Sequence, residues 1–327
     1  MLKAITLLMG TFIALQLACG REVDTSPAPI VSGSDKVKKE EDNQTTETNS
    51  TSPTKKVTKS RTSPEKNRKK KRENDETKTS EVESGSTGCL KVSTSNSNFK
   101  NKGQYKFEVK KKNGFTFYLP NTDGCKSPVI AFAMGTAAPE LSYTNWYMHF
   151  ASHGFAVAVD PNMGAIAGTS LKRSIDQAYQ NFGSQLSPKA ATIGHSQGGA
   201  GALNARSHTK VDTVVGIQPG QFPSGGNNNI NYLGLAGSAD MFGTFTDPKL
   251  FHYNQIKGPK FYAKLAGADH ISTPTILGGN RTTPYLAIST AWFSCHLDNN
   301  QNSCNLFKVG NCKNFPGMWA RCEGKMQ

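Results

Sequence analysis

The chain has little apolar material for its length. Hydrophobic residues make up only 36% of the 327 residues, which is low for a globular protein. The shortage is concentrated near the N-terminus, because residues 21–88 consist mainly of Ser, Thr, Lys, Glu, Asn and Pro. Such a segment buries too little apolar surface to offset the entropy that it would lose on ordering. We therefore predict that residues 20–88 form a disordered linker and that residues 89–327 form the folded domain.

Long apolar runs are also missing, apart from one at the start of the chain. Lys3 is followed by the mostly apolar stretch Ile5–Leu17, which is too short to span a bilayer as a helix of the mature protein. We interpret residues 1–19 as an export signal. The junction before Cys19 is similar to that of a bacterial lipoprotein signal, in which this cysteine is lipidated, although Gln16 stands where Leu is usual. The alternative is ordinary cleavage nearby, which gives a soluble secreted protein.

No two cysteines have the CxxC spacing that is typical of zinc sites, and no other motif requires a metal or an organic cofactor. Apart from the one at the signal junction, six cysteines are present. This even number fits up to three disulfides in an oxidising compartment. Four of the six lie in the last 33 residues, and the sequence alone does not determine the pairing. The six are Cys89, Cys125, Cys295, Cys304, Cys312 and Cys322.

Acidic residues are scarce in the folded domain. Residues 89–327 contain 22 Lys and Arg but 11 Asp and Glu, a net charge of +11, whereas residues 21–88 have a net charge of +2. A basic surface attracts anionic material without selecting one kind. The linker also contains a basic run, residues 66–72, of a type that can bind nucleic acid. Since an export signal argues against a nuclear role, we interpret the linker as a solvated stalk and expect no nucleic-acid partner.

Strand and helix patterns alternate through the folded domain. Gln104–Lys110 and Phe115–Leu119 alternate apolar and polar residues around Asn113-Gly114, which predicts a hairpin. Short apolar runs and helical patterns then follow in turn. Strands that are separated by helices indicate an α/β fold, with a mostly parallel sheet and helices on both faces. The further predicted strands are Val129–Ala133, Phe155–Val159, Ala190–Ile193, Val211–Ile217, Leu233–Ala236 and Lys260–Leu265, and the predicted helices are Tyr143–Ser152, Ser170–Phe182, Ser196–Ser207 and Pro284–Leu297.

A Gly-x-Ser-x-Gly motif centred on Ser196 lies where a predicted strand meets a predicted helix. The sharp turn that exposes a nucleophilic serine in this setting requires small residues two positions before and after it, as Gly194 and Gly198 are. The N–H of Gln197 is placed to donate to a developing oxyanion, near the positive end of the helix. The motif predicts Ser196 as a nucleophile. The alternative is a structural turn with an inert serine.

A serine nucleophile requires a general base, and the base requires an orienting carboxylate. On a scaffold of this kind the acid and then the histidine follow the serine, each after the C-terminal end of a strand. Asp240 and His270 occupy such positions and are the predicted acid and base. Asp269 is the alternative acid, whereas Asp247, which precedes a proline, is predicted to cap a helix.

The second oxyanion donor is expected in the loop after the strand Val129–Ala133, and Thr136 is the predicted residue. His195 directly precedes the nucleophile, so its side chain should point away from the Ser196 hydroxyl, and we interpret it as a packing residue. Four further histidines are expected to have packing, surface or helix-end roles. These are His149, His153, His252 and His296.

Taken together, these segments resemble the bacterial cutinase-like polyesterases, the group that contains the poly(ethylene terephthalate) hydrolases, and their dienelactone-hydrolase-like and chlorophyllase-like relatives. The resemblance covers most of Lys106 to Cys322. It implies an α/β-hydrolase fold and an exported serine carboxylic-ester hydrolase that uses Ser196, His270 and Asp240. The matching segments are Gly135-Thr136-Ala137, Ala151-Ser152-His153-Gly154-Phe155, Gly194-His195-Ser196-Gln197-Gly198-Gly199, Gly237-Ser238-Ala239-Asp240, Gly267-Ala268-Asp269-His270 and Ala291-Trp292-Phe293.

The chain departs from that family at the substrate positions. The polyesterases usually have an aromatic residue at the position of Thr136, a Trp within the stretch Gln218–Phe222, and often Met at the position of Gln197. The two aromatic residues that grip a terephthalate ring in that family are therefore missing, unless Phe222 takes the place of the Trp. The expected substrate is a lipid, a small ester or a polyester, and a monomer is expected, attached to the cell envelope through Cys19 or secreted. The alternatives are an acyltransferase or peptidase of the same fold, or a non-catalytic surface adhesin.

Overall fold

The computed structural model describes residue 90 and residues 99–161, 166–221, 225–308 and 312–326. The predicted export signal with Cys19, the predicted linker, Cys89 and Phe222 lie outside these ranges. Within them, every helix is too short or too polar to cross a lipid bilayer.

The described residues form one nine-stranded sheet. Its strands are β1 (Phe107–Lys112), β2 (Phe115–Pro120), β3 (Ser127–Ala133), β4 (Ala156–Val159), β5 (Leu186–His195), β6 (Val211–Ile217), β7 (Asn231–Gly237), β8 (Lys260–Leu265) and β9 (Trp319–Lys325). They are arranged in the order β1-β2-β4-β3-β5-β6-β7-β8-β9. The neighbours from β4 to β8 are parallel, whereas β1, β2 and β9 join by antiparallel pairing. The mostly parallel sheet predicted from the sequence is confirmed.

Helices cover both faces of the sheet. Among the described residues they are α1 (Thr144–Ser152), α2 (Thr169–Phe182), α3 (Gln197–Asn204), α4 (Gly243–Thr246), α5 (Pro248–Phe251), α6 (Thr283–Leu297) and α7 (Gln301–Asn305), with short 3-10 segments at Glu140–Tyr143, Gly183–Gln185, Ala205–Ser207 and Ile276–Thr282. Successive strand residues point to opposite faces. Phe132 therefore belongs to the core cluster that contains Trp146 of α1 and Trp292 of α6, whereas Ala131 belongs to the cluster on the other face, with residues of α2 and α3.

The C-terminal part of the domain is held by two disulfides. Cys295–Cys304 links the end of α6 to α7, and Cys312–Cys322 fastens β9. Cys125 is also disulfide-bonded. These pairs resolve part of the pairing that the sequence left open. Disulfides are compatible with an exported protein, because they persist in oxidising compartments.

Strand β9 was not predicted. Its residues are all exposed or half-buried, and three of the seven are charged, so its sequence lacks the apolar pattern of a core strand. It pairs antiparallel with β8 at the edge of the sheet, with Tyr262 opposite Glu323 and Lys264 opposite Arg321. Strand β9 is therefore defined by its pairing with β8 and by the Cys312–Cys322 disulfide, and not by a pattern of apolar residues.

Candidate active site

Ser196 occupies a strained turn between β5 and α3. Its backbone has φ 55° and ψ −121°, in the positive-φ region that residues other than glycine rarely adopt. A backbone of this kind costs about 1–3 kcal/mol and persists only where the surrounding structure enforces it. The N–H of Ser196 donates to Ile217 O at 3.0 Å, and its carbonyl accepts from Gly220 N at 2.8 Å. The turn is thus fastened to the end of the neighbouring strand β6.

Both glycines of the motif are required by close backbone contacts. A Cβ atom added to Gly194 would lie 2.1 Å from Gly198 O, and one added to Gly198 would lie 2.4 Å from Ala133 O. Neither contact is sterically possible, and backbone atoms cannot move aside as a flexible side chain can. The spacing of the motif therefore follows from the packing of the turn against itself and against β3.

Strands β3, β5, β7 and β8 are parallel, so the segments that follow them meet at one edge of the sheet. There the structure brings together the three residues predicted as nucleophile, acid and base. His270 Nε2 lies 3.0 Å from Ser196 Oγ, and His270 Nδ1 lies 3.0 Å from Asp240 Oδ2. All three side chains are buried. In the neutral imidazole, a proton on Nδ1 bonds to the carboxylate and leaves Nε2 free to accept the serine proton.

Asp240 is held as a carboxylate by its hydrogen bonds. Its Oδ1 accepts from Phe242 N at 2.8 Å, and its Oδ2 accepts from the Thr246 hydroxyl at 2.7 Å as well as facing His270. Burial alone would raise the pKa of Asp240, but the bonds from His270, Thr246 and Phe242 outweigh burial and hold that pKa below its usual value. The ring of Phe242 also packs edge-on against His270, 5.0 Å between centroids.

Asp269, the alternative acid, has another role. Its carboxylate turns into its own loop and accepts hydrogen bonds from the backbone N–H groups of Ile271 and Ser272 at 3.0 and 2.6 Å, and from the Ser272 hydroxyl. Burial alone would raise the pKa of Asp269, but these hydrogen bonds outweigh it and lower the pKa to about 2. Asp269 therefore shapes the loop that carries His270. Asp247 caps α5 through Lys249 N at 2.9 Å, as predicted.

The two predicted oxyanion donors lie on adjoining segments. Thr136 follows β3, and Gln197 is the first residue of α3. Their side chains are hydrogen-bonded, with 2.5 Å between Thr136 Oγ1 and Gln197 Oε1. Among the hydrogen bonds of the described residues, none is donated by the backbone N–H of either residue. Both N–H groups therefore have unused donor capacity.

His195 is buried, as its interpretation as a packing residue requires. Its ring lies 4.8 Å from that of His270, and its Nδ1 lies 2.7 Å from the Tyr143 hydroxyl. That hydroxyl also accepts from Gly135 N at 3.1 Å. Sequence reasoning did not single out Tyr143, because nothing in its local pattern distinguishes it from the other apolar residues of a helical segment.

Gln218 is a second residue that sequence reasoning missed. It directly follows β6, is fully buried and has a positive φ of 44°. Its Nε2 donates to Asp269 O at 3.1 Å, next to His270, and its backbone N–H donates to Leu235 O at 2.7 Å. A polar residue at the end of an apolar strand was the available signal, since buried amides need specific partners.

Four further histidines have packing roles. The rings of His149 and His153 pack against each other at a tilt, with 4.7 Å between centroids. His252 Nε2 lies 2.8 Å from Gly220 O, and His296 packs on Trp292 with 4.2 Å between centroids. Within the described ranges, no group of three or more His, Cys, Asp and Glu side chains is arranged to hold a metal ion.

No protein-family model matches the chain, and no curated protein matches it in sequence. The resemblance to cutinase-like polyesterases therefore stays a prediction from the motifs.

Proposed function

We propose that the protein is an exported serine carboxylic-ester hydrolase with an α/β-hydrolase fold, acting through an acyl-enzyme. The observation that carries the proposal is the hydrogen-bonded row from Asp240 through His270 to Ser196, with 3.0 Å at each step. The strained turn between β5 and α3 supports it further, because nucleophilic serines of this fold occupy a sharp turn between a strand and a helix. The acid and the base follow later strands in the order that the fold requires.

In the first step, Ser196 Oγ attacks the ester carbonyl carbon while its proton passes to His270 Nε2. Asp240 keeps the other ring proton on Nδ1 and stabilises the imidazolium that forms. The N–H groups of Thr136 and Gln197 donate to the carbonyl oxygen as it becomes negative. The intermediate then collapses, and His270 protonates the departing alcohol. In the second half-reaction His270 takes a proton from water as the water oxygen attacks the acyl carbon. The bond from that carbon to Ser196 Oγ then breaks, His270 returns the proton to Oγ, and the acid leaves.

The segments that carry Thr136, Asp240 and His270 also expose apolar side chains. Seven of the nine exposed large hydrophobic side chains of the described residues lie in the segments that follow β3, β7 and β8, the segments that converge on Ser196. Exposed apolar groups mark interaction sites where they form a contiguous patch, and we propose that these groups do so beside Ser196. The seven are Leu141, Met241, Phe245, Leu250, Ile271, Ile276 and Leu277. We infer that the substrate is an aliphatic ester, because the aromatic residue that polyesterases use at the position of Thr136 is absent.

Ser196→Ala tests the proposed activity. The variant should lose hydrolysis of p-nitrophenyl butyrate down to the roughly 10³–10⁴-fold over water that binding and the oxyanion donors supply alone. Wild type should be labelled at Ser196 by a fluorophosphonate probe, and Ser207→Ala, which changes an exposed serine, should keep both properties. Full activity of Ser196→Ala would contradict the proposal, and an unlabelled wild type would favour the adhesin. Product analysis with an added alcohol acceptor separates the two enzyme classes, because a hydrolase releases the free acid whereas an acyltransferase passes the acyl group to the alcohol.

Export and lipidation are part of the proposal and need their own test. The disulfides support an oxidising compartment. Radiolabelled palmitate should enter the wild-type protein but not Cys19→Ser. Failure to label the wild type would leave a soluble secreted enzyme as the better interpretation.

A further inference from the structure

We propose that Tyr143 and His195 form a positioning pair, which fixes the loop of Thr136 against the turn of Ser196 and so sets the oxyanion hole. The inference rests on the proposed esterase function. Each member of the pair acts next to a site residue: Tyr143 bonds to Gly135, which precedes Thr136, and His195 precedes Ser196. Neither takes part in a bond-making or proton-transfer step of the proposed mechanism, although the His195 ring also packs against that of His270, with 4.8 Å between centroids.

The direction of the hydrogen bonds follows from the donors available. Gly135 N–H donates to the Tyr143 oxygen at 3.1 Å, since a backbone amide can only donate. Burial raises the pKa of Tyr143 to about 12, so the hydroxyl keeps its proton. That proton goes to His195 Nδ1 at 2.7 Å. Burial, together with the nearby His270, lowers the pKa of His195 well below its usual value, so the ring stays neutral. We assign the tautomer that is protonated at Nε2, which leaves Nδ1 as the acceptor of the Tyr143 proton.

The pair has no room to rearrange. Tyr143 is fully buried and packs on Phe132, with 5.2 Å between ring centroids. A Cβ atom on Gly135 would lie 2.9 Å from His195 Nδ1 and 3.0 Å from the Tyr143 oxygen. Gly135 thus allows the backbone, the phenol and the imidazole to meet closely. Dense packing of this kind holds a group in one position, because interiors tolerate few voids.

The Tyr143–His195 pair matters for catalysis because an oxyanion donor must lie about 2.7–3.1 Å from the developing charge. The loop after β3 has no strand partner beyond Ala133, whereas β5 continues to His195. Two hydrogen bonds, from Gly135 to Tyr143 and from Tyr143 to His195, therefore connect the loop that carries the Thr136 N–H to strand β5, which ends next to the nucleophile. Without them, the side-chain bond from Thr136 to Gln197 is left to hold the loop, and the Thr136 N–H is held less firmly on its target.

Tyr143→Phe removes one oxygen atom and keeps the ring. In the full-length protein we expect kcat for p-nitrophenyl butyrate to fall about 10-fold with KM almost unchanged, since losing an oxyanion donor altogether costs about 100- to 1,000-fold. Affinity for an alkyl trifluoromethyl ketone, which forms a tetrahedral oxyanion on the serine, should fall by a similar factor. The matched control is Tyr179→Phe, which loses hydroxyl bonds to Ser187 O and Lys189 O at the opposite end of β5. It should lower the melting temperature and leave kcat unchanged.

His195 provides a second test that does not depend on Tyr143→Phe folding well. Asn places a carbonyl oxygen near the position of Nδ1, so His195→Asn should retain most of kcat, whereas His195→Leu should behave as Tyr143→Phe does. The inference fails if Tyr143→Phe keeps wild-type kcat and ketone affinity, or if His195→Asn and His195→Leu lose activity equally. A wild type that is inactive and unlabelled by fluorophosphonate contradicts the proposed function itself. An active, labelled wild type with an indifferent Tyr143→Phe contradicts only the positioning role.

Discussion

The hydroxyl of Thr136 donates a hydrogen bond of 2.5 Å to the side-chain carbonyl of Gln197. The two residues belong to different segments, the loop after β3 and the first turn of α3. Because their backbone N–H groups are the proposed oxyanion donors, this bond connects the two halves of the proposed oxyanion hole. It fixes the separation of the donors before substrate arrives, which is what preorganised stabilisation of an oxyanion requires.

Thr136→Val keeps the shape of the side chain and the backbone N–H but removes the hydroxyl. We expect kcat to fall several-fold, in line with a hydrogen bond worth about 1 kcal/mol, with little change in KM. Gln197→Met should have a similar effect. The double variant should be no worse than the poorer single variant, because both changes remove the same bond. Fully additive losses in steady-state kinetics would show that the two side chains act separately.

Asp240 and Asp269 offer a direct comparison of two carboxylates in adjoining loops. Asp240→Asn should lower kcat about 10⁴-fold, because the amide no longer holds the Nδ1–H tautomer of His270. Stability should change much less, as the amide oxygen still accepts from Phe242 N, a bond of 2.8 Å in the wild type. Burst kinetics with p-nitrophenyl butyrate would locate the loss in the acylation step.

Asp269→Asn is the control for that experiment. It weakens a carboxylate that accepts from Ile271 and Ser272, so it should lower the melting temperature while costing far less activity. Since the pKa of Asp269 is lowered to about 2, its contribution to stability is complete above about pH 4 and is lost as the pH falls towards 2. If Asp269→Asn were the more damaging change to kcat, the assignment of the acid would be wrong.

The sheet was largely predictable because its central strands are buried on both faces. Such strands appear as continuous apolar runs, and the runs in the sequence correspond to β3 to β8. Strand β9 could not be found in this way, since Arg321, Glu323 and Lys325 alternate with small residues and form no run of large apolar side chains. Its place depends on pairing with β8 and on the Cys312–Cys322 disulfide.

Site residues were predictable where a local signal coincided with a strand end. Ser196 was predicted from the Gly-x-Ser-x-Gly turn, and Asp240 and His270 from their positions in the loops after β7 and β8. The structure places the three in one hydrogen-bonded row. The supporting residues have no such signal. Tyr143 reaches His195 across 52 residues of sequence, and Gln218 reaches Asp269 across 51. Contacts of that range follow from the folded geometry and not from spacing.

Buried histidines should make the protein sensitive to acid. Burial lowers the pKa of His149 to about 3, with a further effect of His153, and lowers that of His153 to about 4. In the unfolded chain the value is about 6.5. The unfolded state thus binds protons first as the pH falls, so stability is complete above about pH 6.5 and declines towards pH 4. Urea unfolding at a series of pH values should show this decline.

His153→Gln isolates one of these groups. The Gln amide replaces the ring Nε2, which lies 3.1 Å from Asn101 O, and it does not titrate. The free energy of unfolding should therefore depend less steeply on pH between 6.5 and 4, by up to about 1.4 kcal/mol per pH unit. An unchanged slope would mean that His153 does not contribute to acid sensitivity.

Gln218 should stabilise the loop that carries His270. Its buried amide donates to Asp269 O at 3.1 Å, and a Cβ on Gly237 would lie 2.5 Å from that amide nitrogen, so the side chain fills the space between β7 and the loop. Gln218→Met keeps the length but leaves the Asp269 carbonyl without its donor. We expect a loss of about 1–3 kcal/mol in the free energy of unfolding and a several-fold fall in kcat.

Gln221→Met is the matched control, because this nearby amide is more exposed and makes a longer bond of 3.4 Å to Thr244 O. It should change neither stability nor kcat appreciably. Chemical denaturation and steady-state kinetics on the two variants separate the effects. A Gln218→Met protein that loses stability but keeps full kcat well below its melting temperature would show that the amide supports the fold alone. Equal behaviour of the two variants would show that the bond to Asp269 has no measurable role, because burial and bond length are what distinguish the two amides.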